Sequence, residues 1–222
     1  MVTVHHLNNS RSQRVLWLLE ELGVPYRVKR YERDAATMLA PTALKAVHPL
    51  GKSPVIDDDG TVVAESGAIV EYLVGRYGNG RLAPAPGTPE RLRYTYWLHY
   101  AEGSLMPLLV MKLLFGRVLR APMPFFARPV ARRIVAGLEG GYVGPNLARH
   151  LDYVESELAA HPWFAGAEFS AADIQMSFPL EAAAARAGGA PRPKTRAFLE
   201  CIHAMPSYLR ALEAGGPYAL LS

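Results

Sequence analysis

The stretch "RLAPAPGTPE" at 81–90 separates two parts of the chain with different hydrophobic periodicity, and that change limits the possible folds more than any other feature. Before it, short apolar runs alternate with helical spacing. Val2 to Leu7 reads as a buried strand. From Arg11 to Leu22 the spacing is helical, with Val15, Leu18, Leu19 and Leu22 on one face and Gly23 as the stop. "YRVKRY" (26–31) alternates as a second strand, and a short helix is expected around 41–47. "HPLGKSPVID" and "TVVA" supply two more strands across the turn Asp59-Gly60. A helix over "ESGAIVEYLVGRYG" closes the order β-α-β-α-β-β-α. After the Pro/Ala-rich stretch no strand pattern appears. Helical spacing covers 90–120, 124–137, 145–160, 170–187 and 194–214, and Pro107 should kink the first of these.

The expected architecture is therefore α/β plus all-α: residues 1–80, a linker at 81–90, and an all-helical unit at 91–222. With 50% hydrophobic residues, the chain can bury one sizeable core or two small ones. Its single cysteine, Cys201, excludes a disulfide framework and a zinc site, and its apolar neighbours favour a core position. The amino terminus has no charged-then-apolar leader, so the expected compartment is the cytoplasm. The Asn8-Asn9-Ser10 sequon then has no use. "LMPLLVMKLLF" is too short to span a bilayer and carries Lys112. The cluster Arg128, Arg132 and Arg133 reads as a solvated helix face, not a nucleic-acid site. In "EFSAADIQMSF", Ser170 and Asp173 have capping-box spacing, and Phe169 and Ile174 have the spacing of a hydrophobic staple.

One loop is harder to explain as a turn. Between the first strand and the first helix stands Asn-Asn-Ser-Arg-Ser, residues 8–12, where Gly or Pro would serve a plain turn. Hydroxyl and amide groups are thereby placed at a helix start, where negative charge is stabilised.

The motifs together resemble the cytosolic glutathione transferases. "HPLGKSPVI" is similar to the family's loop with a cis-proline before the third strand. "ESGAI" is similar to its Glu-Ser pair at a helix start, and "FSAADIQMSFPL" to the capping box of its buried helix. "LNNSRSQRVLWLLEEL", "YAEGSLMP" and "PMPF" resemble the branch that yeasts and bacteria share. The resemblance implies a thioredoxin-like domain followed by a helical bundle, and a two-fold dimer.

It also implies glutathione as co-substrate, no metal, and a hydrophobic electrophile as second substrate. Glutathione-dependent peroxidase activity is a close variant, and a non-catalytic docking protein on the same fold is the alternative. Lys52 would meet the glycyl carboxylate. A cis bond at Ser53-Pro54 would turn the backbone of Val55 toward the peptide, a short strand addition. Ser66 would hold the γ-glutamyl carboxylate, with Glu65 orienting it or meeting the ammonium. The thiol needs roughly 2.7 kcal/mol to fall by about two pKa units. One charge-assisted hydrogen bond gives about 1.5–3 of that. Ser10 is the first candidate donor and Asn9 the second, with backbone N–H groups as the remaining source. Ser12 is expected to be structural, and Arg11 either adds positive potential or faces solvent. Tyr96, Tyr100, Met106, Leu109 and Phe115 are candidate lining for the second substrate, and Glu102 is placed near the partner subunit's glutathione.

Overall fold

The structure is a computed structural model that describes residues 1–34, 37–186 and 189–218. Strand β1 (Val2–Leu7) leads to helix α1 (Ser12–Leu22) and strand β2 (Tyr26–Tyr31). A 3-10 turn over Thr42–Ala46 precedes β3 (Val55–Asp58), β4 (Thr61–Ala64) and helix α2 (Ser66–Tyr77). The sheet order is β2-β1-β3-β4, with β1 and β2 parallel and the other pairs antiparallel. This is the thioredoxin-like arrangement expected, with the short helix realised as a 3-10 turn.

From Pro89 onward the chain is helical. Helix α3 (Pro89–Tyr100) passes through a π-helical turn, Ala101–Leu105, into α4 (Met106–Arg120). The proline falls in the first turn of α4, where its missing N–H and fixed φ are tolerated. The expected kink is thus an inserted wide turn. Helix α5 (Ala127–Leu138) likewise runs through a π turn, Glu139–Val143, into α6 (Gly144–Ala160), so two helices expected as separate are joined without a loop. Helix α7 (Ala171–Arg186) follows, and the expected end at 187 lies outside the described residues.

Two expectations fail here. The stretch 194–214 is two helices, α8 (Pro193–His203) and α9 (Pro206–Gly215). Pro206 drives Met205 out of helical backbone, to ψ 131, and ends the first of them. Cys201 is exposed instead of core. The buried stripe of α8 runs through Thr195, Phe198, Leu199 and Ile202, and Cys201 falls off it.

One hydrophobic core joins both parts of the chain, from Val2 and Val4 through α1 to Ala211 of α9. Helix α1 is buried over Ser12–Leu19 because the sheet lies on one side and α7 and α9 lie on the others. Trp17 fixes this docking: its Nε1–H donates to Ser207 Oγ at 3.1 Å, and its ring meets Tyr208 edge-on. Arg210 of α9 pairs with Glu20 at 2.7 Å, and Arg30 Nη2 donates to the Ala214 carbonyl at 2.7 Å.

Candidate functional site

Strand register collects the expected glutathione residues at one end of the sheet. His5 of β1 faces Val55 of β3, and Val55 faces Ala64 of β4. Beside the start of β3, therefore, β1 leaves toward Asn8–Arg11 and β4 leaves toward Glu65 and Ser66. The helices α1 and α2 both begin there. Two helix N-termini, each with positive partial charge, thus flank the loop that enters β3.

That loop contains the cis bond, Ser53-Pro54. Pro54 and Val55 are buried, Ser53 is half-buried and Lys52 is exposed. Ser53 Oγ donates to the His5 carbonyl at 3.0 Å, which ties the loop to β1. Val55 is laddered on both sides, so the loop residues before it form the more open edge. Glu65 has φ 71 and ψ 126, a conformation that costs a non-glycine residue about 1–3 kcal/mol. Its carboxylate makes no cap hydrogen bond and the residue is exposed, while Ser66 is buried as the first residue of α2.

The loop after β1 is held by a buried chain of hydrogen bonds. Ser12 Oγ lies 2.9 Å from His6 Nδ1 and 2.8 Å from Ser10 Oγ, and it accepts from the Leu7 N–H at 3.2 Å. The Ser12 N–H donates back to Ser10 Oγ at 3.3 Å. Burial pushes the His6 pKa down to about 4, so the ring is neutral. We assign its proton to Nε2, which leaves Nδ1 as acceptor and the Gly215 backbone carbonyl as a partner for the ring. Ser12 then gives its only proton to His6, and Ser10 gives its own to Ser12. Ser10 is 4% exposed. Asn9 sits at the loop tip, half-buried, with a left-handed backbone at φ 50. Ser12 is fully buried and links β1 to the start of α1.

This chain titrates with a defined sign. The folded pKa of His6 lies below its unfolded value near 6.5, so the unfolded state binds the extra proton. Its contribution is intact above pH 6.5 and is lost as pH falls toward 4, by up to about 3 kcal/mol. Urea midpoints measured across this range should fall less steeply in His6→Gln than in the unsubstituted protein. Equal slopes would remove His6 from the account.

Arg11 does not face solvent alone. Its Nε donates to Glu102 Oε2 at 2.9 Å, and the Arg14 guanidinium contacts the same carboxylate. Arg14 Nη1 donates to the Gln175 carbonyl at 2.5 Å, and both guanidinium groups lie 5.5 Å from the Phe178 ring. Burial opposes ionisation of Glu102, yet Arg14 and Arg11 hold its carboxyl below the usual range. Glu102 sits in the π turn after α3 and clamps α1 of its own chain, because two nearby guanidinium groups need a counter-charge.

The candidate second-substrate residues divide. Tyr96 is exposed, and Phe115 is half-buried. Tyr100, Met106 and Leu109 belong to the main core. The Tyr100 hydroxyl is 2.6 Å from His150 Nδ1, within a ring cluster that includes Trp97 and Tyr153.

Comparisons with known proteins agree with this architecture. Residues 10–75 match the family model "Glutathione S-transferase, N-terminal domain", and residues 142–206 match "Glutathione S-transferase, C-terminal domain". Glutathione S-transferase 3 of Schizosaccharomyces pombe is 41% identical over 82% of this chain and 74% of its own. Glutathione S-transferase 1 of Saccharomyces cerevisiae is 33% identical over 96% of this chain and 94% of its own. A crystal structure of a glutathione S-transferase from Actinobacillus pleuropneumoniae superposes with a TM-score of 0.81 at 33% identity, covering 99% of this chain and 95% of that one. With both family models matched and relatives this similar along most of its length, the chain belongs to the glutathione S-transferase family.

Proposed function

We propose that this glutathione transferase ionises the thiol of glutathione at the start of α1 and directs the thiolate at a hydrophobic electrophile. The observation that carries this reading is the register that gathers both helix N-termini and the cis-proline loop at one sheet end. Ser66, at the start of α2, holds the γ-glutamyl carboxylate, and Glu65 beside it takes the ammonium. The backbone of Ser53, at the open edge of the cis-proline loop before Val55, pairs with the extended peptide. Lys52 meets the glycyl carboxylate. Tyr96 lines the second-substrate side, with Tyr100, Met106 and Leu109 shaping the helices behind it. The same thiolate is competent to attack a peroxide. The working form is a two-fold homodimer in the cytoplasm, without a metal.

For the sulfur's donor, the burial of Ser10 weighs against its hydroxyl, and Asn9 at the half-buried loop tip is the residue placed to reach a ligand. Ser10 spends its proton on Ser12 and serves to position the loop. An Asn9 amide donor together with the α1 N-terminus suffices for a shift of about two units. Thiolate absorbance, titrated with saturating glutathione, tests this. Asn9→Gly, which keeps the left-handed backbone at little steric cost, should raise the bound thiol pKa by about one unit. Ser10→Ala should leave it nearly unchanged and lower stability by about 1 kcal/mol. A rise in Ser10→Ala alone would return the role to Ser10, and no change in either would assign it to backbone N–H groups. If the unsubstituted protein shows no thiolate, the catalytic reading fails.

A further inference from the structure

The segment that leaves β2 carries a guanidinium that the glutathione site does not use. Parallel register sets Leu7 of β1 beside Tyr31 of β2, so the two strands end together and Arg33 emerges next to the loop leading to Asn9. Two hydrogen bonds tie these segments. The Asn8 N–H donates to the Tyr31 carbonyl at 3.1 Å, and the Arg33 N–H donates to Asn8 Oδ1 at 3.0 Å. In the order β2-β1-β3-β4, Lys52 and Ser66 adjoin β3 and β4, on the other side of β1. The groups assigned to the two glutathione carboxylates thus stand on one flank of the loop after β1, and Arg33 stands on the opposite flank.

A second cation reaches this flank from the helical part. The Arg11–Glu102 pair joins the start of α1 to the turn from which α4 leaves. Along α4, Met106, Leu109, Leu113 and Arg117 recur at helical spacing on one face, the first two of them in the shared core. About three turns beyond Met106, Arg117 stands close enough to Arg33 to repel it. Burial of Arg33, with the charges of Arg11 and Arg117, holds its guanidinium below the usual range. Glu102 is already shared between Arg11 and Arg14. Among the described residues, neither Arg33 nor Arg117 has a carboxylate within ion-pair distance. Asp34, next in the chain, turns Oδ1 to the Thr37 N–H and hydroxyl at 2.7 and 2.9 Å.

Like charges gathered without a counter-charge work against folding, and a local conflict of this kind is expected where a ligand completes the balance. The pattern selects the ligand. Glutathione brings two carboxylates, and both have partners on the other flank in the reading above. A free inorganic anion would satisfy the guanidinium groups but has no use for the apolar face that leads to them. An electrophile with an apolar body and a carboxylate satisfies both features. Its body lies along Leu109 and Leu113, and its carboxylate takes the planar, forked donors of the arginines. We infer that the second substrate is an apolar electrophile carrying a carboxylate, which Arg33 and Arg117 hold between them. Arg11, engaged by Glu102, adds field without a direct bond. The inference rests on the glutathione reading and narrows its substrate class.

Two thioether conjugates test this without turnover: S-(4-carboxybenzyl)glutathione and S-(4-carbamoylbenzyl)glutathione, which differ in one charge. Calorimetry on the full chain should find the carboxylate bound at least about tenfold more tightly than the amide. Arg33→Met and Arg117→Met should each cut that ratio by about threefold or more, and Arg33→Met with Arg117→Glu should bring it below one. Arg33 is half-buried and Arg117 exposed, so unchanged melting curves show that the fold is kept. Equal affinity of the unsubstituted protein for the two conjugates would overturn the carboxylate site and leave the glutathione reading standing. Failure to bind either conjugate or glutathione itself would remove that reading and this inference with it. If Arg33→Met weakens glutathione as much as the carboxylate conjugate, Arg33 holds the glycyl carboxylate and the assignment is wrong. Sedimentation showing that Arg117→Met dissociates an assembly would place Arg117 between copies of the chain and overturn its role here.

Discussion

Glu102→Ala is expected to cost about 3–5 kcal/mol of folding stability, and to lower the melting temperature by about 10 °C. The loss comes from the charge left behind. Arg14 has a side chain 1% exposed, and Glu102 is the carboxylate it contacts. Without it the guanidinium retains the Gln175 carbonyl and the face of Phe178, while Arg11 stands close enough to repel it. Arg14 Nε already lacks a partner among the described residues. A double variant separates this cause from lost packing. Arg14→Met with Glu102→Gln removes both charges, and an apolar replacement of a buried pair is often close to neutral. Urea unfolding should therefore find the double variant more stable than Glu102→Ala. If the single change costs under about 1 kcal/mol, the carboxylate is not balancing a buried charge.

That clamp was not legible in the sequence, and the reason is specific. The apolar stripe Val15, Leu18, Leu19 and Leu22 implies a helix with one covered face, which would leave Arg14 in solvent. Helix α1 is instead covered on nearly every side, since α7 and α9 close over the face that periodicity leaves polar. Arg14 and Glu102 are 88 positions apart, and local spacing says nothing about pairs so distant. The π turns that present Glu102 and join α5 to α6 escape a 3.6-residue rule for the same kind of reason: they are single wide turns inside helical spacing. The candidate site was legible as an arrangement where it rests on local signals. The cis-proline loop, the Glu-Ser helix start and the polar loop after β1 are short motifs, and the sheet register places them at one end. Which hydroxyl is free to donate was not legible, because it depends on where His6 sends Ser12's proton. The end of α8 was legible in Pro206 and was lost by following apolar periodicity across it.

Asp173→Ala is the second change expected to cost about 3–5 kcal/mol, and here the sequence signal and the structure coincide. Asp173 is fully buried at the start of α7, as the capping-box spacing predicts. One carboxylate oxygen accepts the Phe164 N–H at 2.8 Å. The other accepts the Ser170 N–H at 2.8 Å and the Ser170 hydroxyl at 3.0 Å. Alanine would leave these three donors without that acceptor in a buried region, at about 1–3 kcal/mol each before relaxation. The loss would not stay local. Residues 171–183 are buried throughout, and α7 packs against α1, α2, α3 and α4, so a loosened first turn disturbs the core both parts of the chain share. Ser170→Ala removes one hydroxyl and leaves both backbone donors satisfied, which should cost about 1 kcal/mol. Asp173→Asn keeps one acceptor oxygen but turns an amide donor toward the others, and should fall between the two. Equilibrium unfolding that ranks Asp173→Ala no worse than Ser170→Ala would show that the backbone donors find another acceptor, and that the carboxylate is not what holds the start of α7.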